Sequence, residues 1–412
     1  MKNNQVLIFK LLSFTVLGAM GTFGNYINLY LEQALGFTGS QIGLVAMISM
    51  SLVIVVNPIL GYIGDKTGKH LLMLKIAFFS STIAVAIYSQ LNTFVMILLI
   101  GIIFEISRSC IPPFIDLLIS DYCAKSGDDF GKIRVYSSMG FMITVMAVGF
   151  AIAGLHLPWF NGTTIGFDGF LSLQTAIFTT IVVFFIISFG LLFLIKTPTK
   201  EKQEKDSFSR KDVVLLMTNK QFQFVLVFML LSLVTLESAK TFVGNHLVIG
   251  LGSAENIVSI MTFVMVLPEF ILLPFGTKIV RKVGFKNFYV LTILTMLGRM
   301  LVYAFTTNIG IFALASAVHG LGIVVHIAGN IAFVRKVVEP KILGLALTIM
   351  MSVMAVGRAI LTFVYGVFYE QFDGFAVFRV ASVLLFCGFL WVVRSKSLKT
   401  VGNEIMHDIL IN

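Results

Sequence analysis

GYIGDKTGKH, residues 61–70, separates two long apolar segments and carries most of the charge in its part of the chain. The apolar segment before it covers 40–64, and the one after it covers 71–91. Each has about the 20 residues that a helix needs to cross the hydrocarbon core of a bilayer. The decapeptide is therefore predicted to be a short connector at a membrane surface.

The same alternation of apolar segment and short polar connector continues in both directions. Hydrophobic residues make up 58% of the chain and charged residues 12%, which is about half the charge of a soluble domain. Backbone groups in lipid must bond within their own segment, so helices are expected. The sequence predicts an all-α membrane protein whose twelve transmembrane helices, numbered here as spans one to twelve, cover 8–34, 40–64, 71–91, 93–121, 132–155, 170–195, 221–248, 254–276, 287–306, 309–334, 342–369 and 375–394.

The distribution of Lys and Arg predicts the orientation. Most of the 30 basic residues lie at the two chain ends and at alternate connectors, while the other connectors hold acids instead. By the positive-inside rule, both termini are expected in the cytoplasm of a multi-pass cell-membrane protein. The net charge of +10 is thus a topological signal, and its spread over several short stretches gives no support for a nucleic-acid partner.

One connector is much longer than the others. Residues 196–220 are rich in Lys and Glu and poor in apolar residues, which is typical of a solvated linker. They divide the chain into a first bundle over 1–195 and a second over 221–394, with a cytoplasmic tail over 395–412. Two parallel halves of six helices are a known transporter architecture.

The opening decapeptide also carries a motif. GYIGDKTGK resembles the G-x-x-x-D-R/K-x-G-R/K signature of the major facilitator superfamily. The resemblance implies two six-helix bundles and a latch on the cytoplasmic gate formed by Gly61, Asp65, Lys66 and Gly68. A plain positive-inside turn would explain the motif alone, but its position among twelve spans favours the family.

Ionisable residues inside the spans are the candidate functional groups, because a basic residue near a helix centre costs about 2.5–3.5 kcal/mol on insertion scales. The pairs Glu105–Arg108 and Glu237–Lys240 are each three residues apart, so each can neutralise itself on one helix face without a transport role. Asn25 is a candidate solute donor, and contact between helices explains it equally well. The candidates among these ionisable residues are Glu105, Arg108, Asp116, Glu237, Lys240, Glu269, Arg299 and Arg358.

The spacing of several of these residues resembles the oligosaccharide:proton symporters, the group of lactose permease. Asp116 and Arg134, eighteen residues apart, match a carboxylate–arginine pair that binds sugar hydroxyls there, and Phe141 matches an aromatic that stacks on the sugar ring. Arg299 and His319 match the coupling region. The resemblance extends to phenylpropionate and nucleoside permease groups through LPEFILLPFGTKIVRKVG in span eight and AVHGLG in span ten.

The chain differs from that group at positions for proton coupling and for solute binding. Gly322 stands where lactose permease has its proton-coupling carboxylate, Phe141 replaces a tryptophan, and Lys240 replaces an acid. Glu269 lies about one turn from a sugar-binding glutamate. It is predicted either to carry the proton, with His319 and Arg299 assisting, or to hydrogen-bond the solute.

These patterns predict a proton-coupled symporter that imports a small polar organic solute such as a sugar by alternating access. The solute is expected to contact both halves, through Asp116, Arg134 and Phe141 in the first and through Glu237, Glu269, Arg299 and His319 in the second. The expected partners are the solute, the proton and the bilayer, and a monomer without cofactor or metal is expected. A drug/proton antiporter is an alternative, although span five lacks the prolines of such exporters. A nucleoside or aromatic-acid permease and a non-transporting sensor are further alternatives. An enzyme is not expected, because no nucleophile–base pair, metal spacing or phosphate loop is present.

Overall fold

The computed structural model describes residues 2–155, 168–195, 210–272 and 284–395. For residues 2, 3, 65, 210, 321–328, 331, 332 and 340, it describes the backbone alone. Most of the predicted linker and nearly all of the predicted tail lie outside the described residues.

Every regular element in this described part is helical, and each predicted span coincides with one or more helices. Spans one to six are Lys2–Gln33, Gly39–Thr67, His70–Tyr88, Phe94–Arg108 with Ile111–Ser126, Phe130–Ala153 and Leu173–Leu191. A short helix, Arg210–Thr218, precedes span seven. Spans seven to twelve are Lys220–Met229 continuing through Leu230–Val234, Thr235–Lys240, Val243–Asn245 and His246–Gly250, then Asn256–Leu272, Phe285–Phe305, Ile309–Val337, Leu343–Gln371 and Gly374–Arg394.

Length and composition qualify most of these helices as membrane-spanning. Ten helical segments within the described ranges are long and apolar enough to cross a bilayer. Shorter apolar segments, Asn256–Leu272 and Ile309–Gly320, represent spans eight and ten. Span eight is short here because residues 273–283 are not described.

Span four is divided where the sequence predicts one continuous helix. The first helix ends at Arg108, and the second begins at Ile111, with Pro112 and Pro113 in its first turn. Proline has no backbone N–H and is tolerated in a first turn, where that donor has no partner within the helix. The two prolines therefore place the start of a new helix inside the span, and Asp116 lies one turn further along.

Span seven is irregular around its charged residues. Five residues of π-helix, Leu230–Val234, come directly before the turn Thr235–Lys240, which carries Glu237 and Lys240. A second π-helical turn, His246–Gly250, closes the span. Such insertions are frequent at functional sites, because an extra residue per turn changes where the following side chains point.

The chain forms two compact units. Unit 1 comprises Met1–Glu204 together with Gly244–Thr262, and unit 2 comprises Lys205–Val243 together with Phe263–Asn412. In unit 1, span one packs against spans five and six, and span three packs against spans four and six. In unit 2, span nine packs against spans ten and twelve, and span seven packs against span eleven.

The crossing of spans one and five depends on a small residue. The backbone carbonyl oxygen of Phe14 lies so close to Gly140 that no Cβ could be accommodated there. Leu12, Val16 and Ala19, on the same helix as Phe14, are fully buried. Small residues that let backbones approach are the usual basis of helix association in membranes.

Candidate functional site

The glycines of the decapeptide occupy the turn that the sequence indicates. Gly61 and Lys66 lie in the last turns of span two, and Gly68 ends that helix in a left-handed conformation with φ 65°. Its N–H donates to the carbonyl oxygen of Gly64 at 2.8 Å. This geometry needs glycine, since other residues rarely adopt a positive φ. The side chain of Asp65 lies outside the described residues, and the gate role of the motif stays a prediction.

Asp116 and Arg134 are brought together in unit 1. Arg134 Nε lies 3.2 Å from Asp116 Oδ1, and the two side chains are 36% and 39% exposed. The pair presents both an acceptor and a fixed set of N–H donors, which is the combination that binds a hydroxyl group in a defined orientation. Being partly exposed, it has surface left for a ligand.

Phe141 lies two turns beyond Arg134 on the same helix. Its ring packs against Gly21 of span one, where an added Cβ would stand 2.5 Å from the ring. The ring is only partly buried. Gly21 therefore makes room for the aromatic side chain to which the resemblance gives a stacking role, and that role stays a prediction.

The other charged pair of unit 1 is local. Arg108 Nη2 donates to Glu105 Oε1 on the same helix, and the Glu105 side chain is buried. The guanidinium also lies over the rings of Phe23 and Phe104, at 5.2 and 5.3 Å from their centroids. Carboxylate and ring faces together stabilise the cation, so its charge is balanced within unit 1, while Arg108 Nε is buried without an acceptor among the described residues.

Asn25 has partners for both ends of its amide. Its Oδ1 accepts a hydrogen bond from Thr262 at 2.9 Å, and its Nδ2 donates to the carbonyl oxygen of Gly21 at 2.8 Å. Asn245 similarly donates to the carbonyl oxygen of Asn28 at 2.9 Å and to Glu32. These bonds attach residues 244–262 to span one within unit 1, so the geometry favours the helix-contact explanation of Asn25 over solute binding.

Unit 2 contains a three-membered ion cluster. Glu237 lies 3.8 Å from Lys240 Nζ on its own helix and 3.9 Å from Arg358 Nη2 on span eleven. Lys240 and Arg358 are about one third exposed, at 31% and 34%, while Glu237 is 18% exposed. The sequence spacing indicates the Glu237–Lys240 contact. The Glu237–Arg358 contact is revealed only by the packing of span eleven against span seven.

Arg299 and His319 form a second polar group in unit 2, and both are buried. Arg299 Nη1 lies 2.6 Å from His319 Nδ1, its Nε donates to the Tyr303 hydroxyl at 3.0 Å, and its Nη2 lies 2.9 Å from Met265 Sδ. Because a guanidinium can only donate, Nδ1 must be the acceptor and the imidazole carries its proton elsewhere. Arg299 is thus held by neutral partners.

Glu269 differs from the other carboxyl groups inside the spans. It follows Pro268 in span eight, and its backbone N–H lies directly against Gly320, the neighbour of His319. No residue in the described part forms an ion pair or hydrogen bond with its partly buried carboxyl group. The absence of a side chain at Gly320 is what lets span ten approach Glu269 so closely.

Sequence reasoning missed some of these partners. Tyr303 and Met265 contact Arg299, but a tyrosine and a methionine in an apolar helix give no signal of such a role. The i, i+4 spacing of Arg299 and Tyr303 on span nine is the one clue that could have indicated their contact.

The described part of the chain is all-helical, and ion pairs and partly exposed charges lie inside its membrane-spanning helices. Ionisable residues at such positions are typical of the solute and ion paths of membrane transporters. The sequence profile of the MFS_1 like family matches residues 6–380, and the chain belongs to that family. Its fold is that of the major facilitator superfamily, with the twelve-helix, two-bundle architecture that the motif implies.

Similar proteins agree with this assignment. An uncharacterized transporter of Bacillus subtilis (strain 168), YwbF, is 24% identical over 389 residues, which is 91% of this chain and 89% of that protein. A maltose permease of Geobacillus stearothermophilus is 21% identical over 403 residues, with 96% of each chain covered. The crystal structure of the nucleoside transporter NupG superposes with a TM-score of 0.79 at 19% identity, covering 95% of this chain and 100% of the other.

Proposed function

We propose that this protein is a secondary active transporter that imports a small polar organic solute, such as a sugar, together with a proton by alternating access. Both termini would face the cytoplasm and the monomer would be the transporting unit. The maltose permease and the nucleoside transporter are named for hydroxyl-rich solutes. The Asp116–Arg134 pair supports a solute of the same chemistry in this protein.

Glu269 carries the argument for proton coupling. Glu105, Asp116 and Glu237 each form an ion pair, whereas Glu269 forms none within the described residues. A carboxyl group inside a membrane protein that lacks a fixed cationic partner can change its charge without breaking an ion pair. Glu269 is therefore the proposed proton carrier, a role that Gly322 cannot have because it lacks a carboxyl group. His319 and Arg299 lie on the neighbouring spans.

The solute has to be found first, and radiolabelled sugars, nucleosides and aromatic acids offered to right-side-out and everted vesicles would identify it. Nucleosides are the second candidate class, which the name of the structural neighbour favours. Uptake that responds to an imposed pH gradient would support symport. Export of the solute against its gradient would support the drug/proton antiporter instead.

Glu269→Gln separates proton transfer from solute binding. We expect this variant to lose uphill accumulation but to keep exchange of labelled for unlabelled solute, because exchange needs no net proton movement. For an uncharged solute, the energy lost is that of one proton, about 2.3 kcal/mol or an accumulation ratio of about 50 per 100 mV of proton-motive force. Glu339→Gln, the same change at an exposed connector position, is the matched control.

Two results would contradict the assignment. Loss of both binding and exchange in Glu269→Gln would make this residue a solute ligand. A wild-type protein that accumulates its solute to no more than the outside concentration under any pH gradient would be a facilitator.

A further inference from the structure

The ion cluster of unit 2 has more positive than negative charge. Lys240 and Arg358 share the single carboxylate of Glu237, at 3.8 and 3.9 Å. Both distances are too long for hydrogen bonds, so neither cation uses its N–H donors on Glu237. Arg358 Nε is buried and has no acceptor among the described residues. The cluster therefore has donors and charge available for one more acceptor.

An excess of positive charge is also found when all the spans of unit 2 are considered. Near the cluster, the span residues Lys240, Arg299 and Arg358 are cations, and Glu237 and Glu269 are the acids. Arg379 of span twelve is a further cation and lies over the rings of Phe305 and Phe375. The stretches whose side chains are not described, 273–283 and 321–328, contain no Asp or Glu in the sequence. An unmatched cation inside a membrane is costly, and such residues pair with a partner or mark a path for an ion or a solute.

We propose that Lys240 and Arg358 form a subsite for a carboxylate group on the transported solute. The inference rests on the proposed function and specifies its substrate as an organic acid. A carboxylate carries one negative charge, which matches the local excess of one, whereas a phosphate monoester carries nearly two. Both cations are about one third exposed, so a ligand can reach them.

The same cluster explains how a proton and an organic anion would be coupled. The charged and titratable groups that interact with Glu237 are Lys240 on its own span, Arg358 on span eleven, His319 on span ten and Arg299 on span nine. Glu269 on span eight forms no ion pair with Lys240 or Glu237, but it is near enough for their charges to act on it. Glu237 neutralises one of the two cations of the cluster, and an ionised Glu269 neutralises the other. When Glu269 is protonated, one positive charge is left over, and the carboxylate of the solute neutralises it. Proton and carboxylate therefore bind together and cross without net charge.

Removing one cation at a time is a clean perturbation of this subsite. Lys240→Gln leaves Glu237 paired with Arg358, and Arg358→Gln leaves it paired with Lys240, so each variant retains one balanced ion pair. Both should fold. Glu237→Gln leaves two cations without their carboxylate and should keep or increase the affinity for an acid, which a merely structural ion cluster would not do.

The test uses the purified full-length protein and pairs of probes that differ in charge but little in size. D-glucuronate is compared with D-glucose, 3-phenylpropionate with 3-phenylpropanol, and D-glucose 6-phosphate serves as the phosphate probe. Binding is measured by ligand-induced thermal stabilisation. We expect a carboxylate to bind while its neutral partner does not, and we expect Lys240→Gln and Arg358→Gln each to weaken that binding by about tenfold or more.

Arg379→Gln is the matched control, because it also removes a positive charge from a span. Arg379 lies over the rings of Phe305 and Phe375, in the second turn of span twelve. Its replacement should leave carboxylate binding unchanged. In proteoliposomes, carboxylate uptake driven by a pH gradient should not respond to an imposed membrane potential, since the cycle moves no net charge.

Neutral probes that bind as well as the acids, an absence of binding by every carboxylate, or preference for the phosphate would overturn the inference. So would Lys240→Gln and Arg358→Gln variants that bind the acid at wild-type affinity. Proton-driven uptake of a neutral sugar would overturn the subsite while leaving the proposed function intact. Failure of every solute in the uptake screen would instead count against the proposed function.

Discussion

Replacing Arg134 with Gln tests whether the Asp116–Arg134 pair binds solute or merely stabilises unit 1. The guanidinium lies 3.2 Å from the carboxylate, and Coulomb's law gives about 2.6 kcal/mol at that distance with an effective dielectric constant of about 40. Both side chains are more than one third exposed, so screening by solvent reduces the contribution of the pair to stability to about 1 kcal/mol or less.

The loss of solute binding should be larger. A hydrogen bond to a charged group contributes about 1.5–3 kcal/mol, so Arg134→Gln should weaken binding of the solute by about 10- to 100-fold. Asp116→Asn should have a similar effect. The double variant should lose less than the sum of the two, because each residue orients the other.

The assay is solute affinity by equilibrium binding to the purified protein, with thermal unfolding measured on the same samples. Lys132→Gln is the control: it removes the same charge from an exposed position two residues earlier on the same helix. Unchanged affinity in Arg134→Gln would refute the assignment of this pair to solute binding. A loss of stability above about 3 kcal/mol would show that the pair behaves as a buried structural ion pair.

Two further predictions concern packing and burial. Gly140→Ala should destabilise the protein by about 1–3 kcal/mol, because the Phe14 backbone cannot move away from the new Cβ, whereas Gly24→Ala, which meets no atom within 4 Å, should be neutral or slightly stabilising in the same thermal unfolding experiment. Arg299→Met should unfold at the same or a higher temperature yet transport poorly, because it removes a buried cation that has only neutral partners in direct contact. A clear loss of thermal stability in Arg299→Met, or equal stability in the two glycine variants, would contradict these arguments.

The membrane fold follows from sequence because its cause is local. A segment of about 20 apolar residues has to form a helix in lipid, wherever it lies in the chain, since no water is available to satisfy its backbone. The same holds for the turn at Gly68, whose positive φ is a property of one residue and its neighbours. The helix break before Pro112 was also present in the sequence, although the hydropathy pattern alone does not reveal it.

The partners of the charged residues were decided by the tertiary structure. Spacing along one helix predicts that Glu237 can meet Lys240, but the position of Arg358 depends on the rotation of span eleven and on how it packs against span seven. Arg299 is held by Met265, Tyr303 and His319 from three different spans. A sequence fixes which residues share a helix face, because 3.6 residues make a turn. Which faces meet depends on close packing of many side chains over long separations in the chain, and short-range patterns do not contain that information.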